Sequence, residues 1–295
     1  MITSLKDFKN PFFIGIAGSG MSALAQYLKG VGKNVSGSDR FFKTGEYNET
    51  QAKLEAEGIH CFLQNGEGIT DDTDLIVAST AVEDTVIELQ KAKQLTIPVI
   101  KRAELLALIA KSKMTIAVGG TSGKSTTSAM LFDILEFAGL NPGIISGAGL
   151  TSLIKKGKIG NAKVGTSDLL VIEADESDGS IVQYHPEIGI LLNVDKDHKE
   201  VETLMDIFTT FKNNSRIFIV NQSNPLAKTL SQNSQQDFST DPDSDAGYNA
   251  SDFNQKGLNI FFKVNGVAFE MKLLGKHNME NAAAAVAVAN QLGVD

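Results

Sequence analysis

The segment from 114 to 127, MTIAVGGTSGKSTT, contains residues whose types and spacing could bind phosphate. A short apolar stretch leads into Gly120, Gly123, Lys124 and Ser125, and a helical pattern follows. Glycines let successive backbone N–H groups curl around phosphate oxygens, the helix N-terminus adds a favourable dipole, and the lysine adds a mobile positive charge. The serine hydroxyl could bind Mg²⁺. Glycine-rich turns before helices are common, but the position between a strand and a helix predicts a nucleotide-binding loop.

Polar side chains also follow two later apolar stretches. The stretch LLVI is followed by Glu173, Asp175, Glu176 and Asp178. The stretch ILLNV is followed by Asp195, Asp197 and His198. Open α/β sheets bind ligands at the carboxyl ends of their strands, so we expect both groups near the phosphate loop. Because Mg²⁺ prefers oxygen ligands, Glu173 could complete a coordination sphere begun by Ser125. A solvated acidic loop and a surface histidine are the alternative interpretations.

The elements that position these groups alternate between strands and helices. This alternation predicts one doubly wound α/β domain over residues 1–111, and a new strand, MTIAV, begins a second α/β domain over 112–295. The fold class is therefore α/β, with a Rossmann-like N-terminal domain followed by a P-loop ATPase-type domain. The Asn265-Gly266 pair predicts a type I′ hairpin, and the polar stretch 231–247 is expected to form a mobile surface loop.

Composition excludes several classes of protein. The 295 residues carry 27 basic against 35 acidic side chains, a net charge of -8, and no dense basic run, so we expect no nucleic-acid partner. No apolar run is long enough for membrane insertion, and no signal-peptide pattern is present. The single cysteine, Cys61, cannot form a disulfide framework. These features favour a cytoplasmic location.

A second glycine loop, GIAGSG, lies near the N-terminus between an apolar strand and an amphipathic helix. Its spacing is G-x-x-G-x-G, whereas dinucleotide-binding loops have G-x-G-x-x-G. The loop alone is therefore weak evidence for a dinucleotide site.

Eight collinear segments resemble the Mur ligase family of ATP-dependent amide ligases. They are FIGIAGSGMSALA, GSD, DLIVASTAVEDT, IPVIKRAELLA, GGTSGKSTTSAM, EADESDGS, NVDKDH and HNMENAAAA. The general P-loop pattern fails because Val118 stands at its first glycine, but the family's shorter G-T-x-G-K-[ST] form matches from Gly120 to Ser125. Three positions depart from the family: Ser122 where histidine is usual, Ser125 where threonine is common, and DHKE where D-H-x-D is usual.

The resemblance assigns roles to individual residues. It implies that Lys124, Glu173 and His198 are catalytic, and that Ser125, Glu173 and His198 bind Mg²⁺. The residues implied to bind ATP are Gly120, Thr121, Ser122, Gly123, Lys124, Ser125 and Thr126, with His277, Asn278 and Asn281 near adenine. Those implied to bind the UDP-sugar are Gly18, Ser19, Gly20, Met21, Ser22, Asp39, Thr80 and Ala81. Without the resemblance, 277–281 could equally begin an alanine-rich core helix.

The implied activity is ATP-dependent joining of an amino acid, first of all L-alanine, to UDP-N-acetylmuramate through an acyl phosphate, in peptidoglycan synthesis. A recycling ligase that adds a preformed peptide, and a non-catalytic paralogue that binds UDP-sugar or ATP, are the alternatives. In the family a third domain binds the amino acid, and we expect this chain not to contain that domain. We therefore expect the chain alone to bind nucleotide and to catalyse poorly.

Overall fold

The computed structural model describes residues 2–79, 82–177, 179–195 and 200–294. Packing divides the chain into two compact units. The first is Met1–Ser112 with Gly143–Val164, and the second is Lys113–Pro142 with Gly165–Asp295. The predicted boundary between functional domains at 111/112 stays a prediction.

Strands and helices alternate along most of the chain. The strands are β1 Pro11–Ile14, β2 Ser36–Asp39, β3 His60–Leu63, β4 Leu75–Ala78, β5 Val99–Lys101, β6 Met114–Gly119, β7 Gly143–Ile145, β8 Ala162–Lys163, β9 Leu169–Glu173, β10 Ile188–Leu191, β11 Ile217–Val220, β12 Phe238–Ser239, β13 Tyr248–Lys256, β14 Asn259–Val264 and β15 Val267–Met271. The α-helices are α1 Ser19–Gly30, α2 Glu49–Ala56, α3 Ile87–Gln94, α4 Arg102–Lys111, α5 Lys124–Phe137, α6 Thr151–Ile154, α7 Val201–Asn214 and α8 His277–Gln291.

The first unit contains a parallel sheet in the order β3-β2-β1-β4-β5. Strands β1 and β4 are buried along their whole length, as their continuous apolar sequences require in a parallel sheet. Strands β7 and β8 form an antiparallel pair that packs against α1. There Asn161 donates hydrogen bonds to the Ser19 carbonyl oxygen at 2.7 Å and to the Ser22 hydroxyl at 3.0 Å.

The second unit is built around four parallel strands in the order β11-β10-β6-β9. Strand β6, which leads into the predicted phosphate loop, has β10 on one side and β9 on the other. A second sheet has the order β12-β13-β14-β15, and the alanine-rich helix α8 packs against α5 and β13. Parallel sheets in both units confirm the predicted α/β fold class.

The predicted hairpin is present, because β14 and β15 flank Asn265 and Gly266, whose φ angles are 49° and 84°. The expectation of a surface loop over 231–247 is wrong in its middle. Residues Asp237, Phe238 and Ser239 are fully buried there. The Asp237 carboxylate accepts a hydrogen bond from the Val220 backbone N–H at 2.8 Å, which fastens this polar segment to β11.

Among the described residues, no helix combines the length and the apolar character needed to cross a membrane.

Candidate functional site

The loop between β6 and α5 has the conformation that its glycines permit. Gly120 and Gly123 have φ angles of +137° and +84°, which residues with side chains rarely adopt. A Cβ atom at Gly120 would lie 3.1 Å from Cβ of Leu192, so this position also lacks room for a side chain. Lys124, Ser125 and Thr126 form the first turn of α5, where backbone N–H groups have no intrahelical acceptor. The loop therefore provides N–H donors suited to an anion.

Asn193, two residues after β10, fastens this loop to the neighbouring strand. Its Oδ1 atom accepts hydrogen bonds from the Thr121 hydroxyl at 2.8 Å and from the Ser122 backbone N–H at 2.9 Å. Its carbonyl oxygen accepts a third from the Thr121 N–H at 3.2 Å. Asn193 was not among the predicted site residues, although its place at the end of an apolar strand was a usable signal.

The Lys124 ammonium is held close to the loop. It donates to the Gly120 carbonyl oxygen at 2.7 Å and to the two carboxylate oxygens of Glu176 at 2.9 and 3.2 Å. Glu176 is only 5% exposed, so this ion pair is largely shielded from solvent. Glu176 was predicted as part of an acidic cluster, and its pairing with Lys124 was not predicted. The arrangement keeps a positive charge at the mouth of the loop, where a polyphosphate would need it.

Ser125 and Glu173 bring two oxygen groups together beside this lysine. The Ser125 hydroxyl donates to Glu173 Oε2 at 3.0 Å, because Glu173 ends β9 next to β6. A hydroxyl and a carboxylate side by side fit the oxygen coordination that Mg²⁺ requires. His198, the third predicted metal ligand, lies outside the described residues. Within the described part of the chain there is no group of three or more His, Cys, Asp or Glu side chains suited to a metal.

Helix α8 begins against the same loop. Asn281 is buried, and its Oδ1 atom lies 2.6 Å from the position that a Cβ atom on Gly123 would occupy. Its Nδ2 atom donates to Asn278 Oδ1 at 3.2 Å, and Asn278 in turn contacts His277 Nε2 at 3.2 Å. The three residues implied to lie near adenine are thus linked to one another and, through Asn281, adjoin the phosphate loop. Their role in nucleotide binding stays a prediction.

The first unit has a cleft of about 390 Å³ at the carboxyl edge of its sheet. Its lining comprises Gly15, Ala17, Gly18, Asp39, Arg40, Phe41, Gln64, Ser79, Val82, Glu83 and Val86. Asp39 is buried and shapes the cleft, because its carboxylate accepts hydrogen bonds from the backbone N–H groups of Ala17 at 2.9 Å and Phe41 at 3.0 Å. The Arg40 guanidinium lies 4.9 Å from the centre of the Phe41 ring.

The predicted UDP-sugar residues are distributed unevenly around this cleft. Gly18 and Asp39 line it, and Ser19 is exposed in the first turn of α1. Met21 and Ser22 are buried, so their side chains pack inside the unit. Gly20 lies beside the Arg102 side chain, which a Cβ atom there would approach to 3.0 Å. Thr80 and Ala81 lie outside the described residues, and the contribution of the whole set to binding stays a prediction.

Several lining residues were not predicted, each for an identifiable reason. Arg40 and Phe41 directly follow the GSD segment at the end of β2, so the strand-end signal could have found them. Gln64 follows β3, a short and largely exposed strand that the sequence pattern did not reveal.

The thiol of Cys61 in β3 is not suited to nucleophilic chemistry. Burial, with smaller effects from the nearby carboxylates of Glu55 and Asp39, raises its pKa to about 12. At neutral pH the group is therefore a protonated, weakly reactive thiol.

Comparison with known proteins gives two family matches. The family model described as "Mur ligase family, catalytic domain" matches residues 12–114, and the one described as "Mur ligase middle domain" matches residues 118–289. Among curated relatives, UDP-N-acetylmuramate--L-alanine ligase of Nostoc punctiforme is 36% identical over 100% of this chain and 65% of the relative. The protein of the same name from Aquifex aeolicus is 37% identical over 96% of this chain and 63% of the relative. The chain therefore spans somewhat less than two thirds of these relatives.

Solved structures share the fold over nearly the whole chain. The UDP-N-acetylmuramate-alanine ligase MurC of Thermotoga maritima has a TM-score of 0.82 at 26% identity, covering 97% of this chain and 66% of that one. A ligase of Neisseria meningitides, titled UDP-N-acetylmuramate:L-alanyl-gamma-D-glutamyl-meso-diaminopimelate ligase, has a TM-score of 0.79 at 25% identity. It covers 98% of this chain and 95% of that chain.

Proposed function

Because this chain belongs to the Mur ligase family, we propose that it provides the ATP-binding and UDP-sugar-binding parts of an ATP-dependent amide ligase. The reaction that we propose joins L-alanine to UDP-N-acetylmuramate in peptidoglycan synthesis, in line with the names of the curated relatives. The observation that carries this proposal is the phosphate loop, where Lys124 stands beside the Ser125–Glu173 pair.

In the proposed reaction, the substrate carboxylate attacks the γ-phosphorus of ATP, forming an acyl phosphate and ADP. The amino group of the second substrate then attacks the acyl carbon, forming the amide and releasing inorganic phosphate. Carboxylate and triphosphate are both anions, so their approach requires positive charge and fixed N–H donors at the γ-phosphate. Lys124 and the first-turn N–H groups of α5 are positioned for that task.

In the proposed complex, the Lys124 ammonium donates to a phosphate oxygen of ATP. Its ammonium is shared between Glu176 and the Gly120 carbonyl oxygen, and a phosphate oxygen would replace or join these acceptors. Asn193 holds the Thr121–Ser122 part of the loop in place through hydrogen bonds to both residues. A loop fixed in advance loses less conformational entropy when the nucleotide binds.

We propose that Ser125 and Glu173 hold Mg²⁺ with the nucleotide, and His198 completes the predicted set. When bound, this ion would neutralise charge on the phosphate oxygens. The hydroxyl and carboxylate that adjoin in the structure are the donor types such an ion needs.

The cleft of the first unit is proposed to hold the UDP portion of the sugar substrate. Backbone N–H groups at the start of α1 can face the pyrophosphate, because a helix N-terminus favours anions. Asp39 fixes the 15–18 loop through the Ala17 N–H.

A second candidate reaction adds a preformed peptide, instead of a single amino acid, to the same sugar nucleotide. The observation that favours it is the Neisseria meningitides structure, whose title names a peptide as substrate and which matches this chain over 95% of its own length.

The test offers the full-length protein UDP-N-acetylmuramate, ATP and Mg²⁺ with a panel of amino acids and peptides. Phosphate release is measured, and the product mass identifies the group that was added. Release that depends on L-alanine, with the corresponding amide product, is the expected result. Release only with a peptide would select the second reaction. If no nitrogen nucleophile gives an amide and neither ATP nor UDP-N-acetylmuramate binds, the ligase proposal is wrong.

A further inference from the structure

Glu88 is a fully buried acid in the first unit that the proposed reaction does not use. It lies in the first turn of α3 and is 0% exposed. Ala92, one turn further along the helix, belongs to an apolar core that includes Phe12 and Ile76. Glutamates are almost never buried so completely unless they are paired, so Glu88 needs a specific reason to be there.

One oxygen of Glu88 joins two other segments of the unit. Its Oε1 atom accepts a hydrogen bond from the Ser38 hydroxyl at 3.2 Å and another from the Gly66 backbone N–H at 3.3 Å. Among the described residues, its Oε2 atom has no hydrogen-bond partner. The side chain therefore links the end of β2, the turn after β3 and the start of α3.

Each of these three segments contributes directly to the cleft. Asp39 lines the cleft and directly follows Ser38, and Gln64 lines it two residues before Gly66. Val86, also in the lining, stands two residues before Glu88. Lys91 strengthens the same connection, because its ammonium donates to the Gly66 carbonyl oxygen at 2.8 Å.

Ser38 extends the connection to the glycine loop. Its carbonyl oxygen accepts hydrogen bonds from the N–H groups of Gly15 at 2.8 Å and Ile16 at 3.0 Å. Ser38 thus binds Glu88 through its hydroxyl and the glycine loop through its carbonyl oxygen. A shift of Ser38 would therefore move both Asp39 and the start of the 15–18 loop.

We infer that Glu88 is a positioning residue for the nucleotide-sugar cleft, holding Asp39, Gln64 and the glycine loop in the arrangement that receives a nucleoside diphosphate. This inference rests on the proposed function of the cleft. A purely packing role does not explain the side chain. An apolar residue of similar size would fill the volume, but the Ser38 hydroxyl and Gly66 N–H would lose their acceptor.

The test compares Glu88→Ala, Glu88→Gln and Leu89→Ala with the wild-type chain, using calorimetric titration with UDP. Leu89 is the matched control, because it packs against the same core from the same helix and has no part in the hydrogen bonds of Glu88. ATP binding by each variant is measured in parallel as an internal check on the second unit.

Glu88→Ala should weaken UDP binding about tenfold, while ATP affinity stays unchanged. Glu88→Gln keeps an acceptor oxygen and should restore UDP affinity to within about twofold of wild type. Leu89→Ala should lower thermal stability and leave UDP affinity unchanged in the folded protein.

Two results would overturn the inference separately from the proposed function. One is wild-type UDP affinity in folded Glu88→Ala. The other is a loss of UDP affinity in Leu89→Ala as large as the loss in Glu88→Ala. If the wild-type chain binds neither UDP nor UDP-N-acetylmuramate, the proposed function of the cleft is wrong and the inference is wrong with it.

Discussion

Replacing Gly123 by alanine should damage nucleotide binding more than it damages folding, and Gly139 provides a matched control. The two glycines flank α5 and have similar left-handed φ angles of +84° and +78°. A Cβ atom at Gly139 would meet nothing within 4 Å, whereas one at Gly123 would lie 2.6 Å from Asn281 Oδ1. Both substitutions therefore add backbone strain, and only Gly123→Ala must displace Asn281.

The magnitudes follow from these contacts. Left-handed strain costs about 1 kcal/mol for a residue with a side chain, so Gly139→Ala should lower Tm by about 2–4 °C for a unit of this size. Gly123→Ala also disturbs the Asn281–Asn278 hydrogen bond, which adds about 1 kcal/mol and brings the decrease to about 4–8 °C.

Thermal unfolding and titration with ATP provide the two readouts. We expect Gly139→Ala to bind ATP like the wild type and Gly123→Ala to bind at least about tenfold more weakly. Unchanged ATP affinity in Gly123→Ala would refute the placement of Asn281 and the loop at one nucleotide site. Equal losses of stability in the two variants would refute the steric part of the reasoning.

Two further predictions concern groups whose pKa is raised by full or partial burial. The pKa of Cys61 is raised to about 12, so its thiolate fraction in the native protein at pH 8 is about a thousandfold below that of an ordinary thiol. Because the thiolate is the reactive form, iodoacetamide should modify Cys61 far faster in urea than in the native protein. Equal alkylation rates in urea and in the native protein would contradict the raised pKa of Cys61. Burial also raises the pKa of Asp237, so the folded state holds that proton to higher pH than the unfolded state. This contribution to the free energy of unfolding should decrease as pH rises from the unfolded pKa near 3.8 through the folded pKa, and Asp237→Asn should remove it. Parallel curves of unfolding free energy against pH for the wild type and Asp237→Asn would contradict this prediction.

The sequence predicted the parts of the fold that have strong local signals. The phosphate loop lies between an apolar strand and a helix, and Asn265-Gly266 lies between two strands, as expected. Strand β13 was missed because its sequence, YNASDFNQK, is polar and lacks regular alternation. The segment around Asp237 looked like a loop because its polar side chain is satisfied by partners distant in sequence, which a local pattern does not reveal.

In the candidate site, too, local signals predicted some residues, and contacts between residues distant in sequence were not predicted. Lys124, Ser125 and Glu173 were found because each stands at the end of a predictable element. The hydrogen bond between Asn193 and Thr121 joins residues 72 positions apart in the sequence, and the ion pair of Lys124 with Glu176 joins residues 52 positions apart. Such partnerships depend on strand order, which places β9 and β10 on either side of β6 and is not encoded in the spacing of a motif.

Calorimetric titration of MgATP into the wild-type chain, Lys124→Ala and Lys113→Ala tests the central claim most directly. Lys113 stands at the other end of β6 and also forms an ion pair, to Asp168 at 3.0 Å, so it controls for the loss of a paired lysine. We predict one binding site in the wild type, at least about tenfold weaker binding in Lys124→Ala, and wild-type binding in Lys113→Ala. Wild-type affinity in folded Lys124→Ala would contradict the assignment of this loop as the nucleotide site.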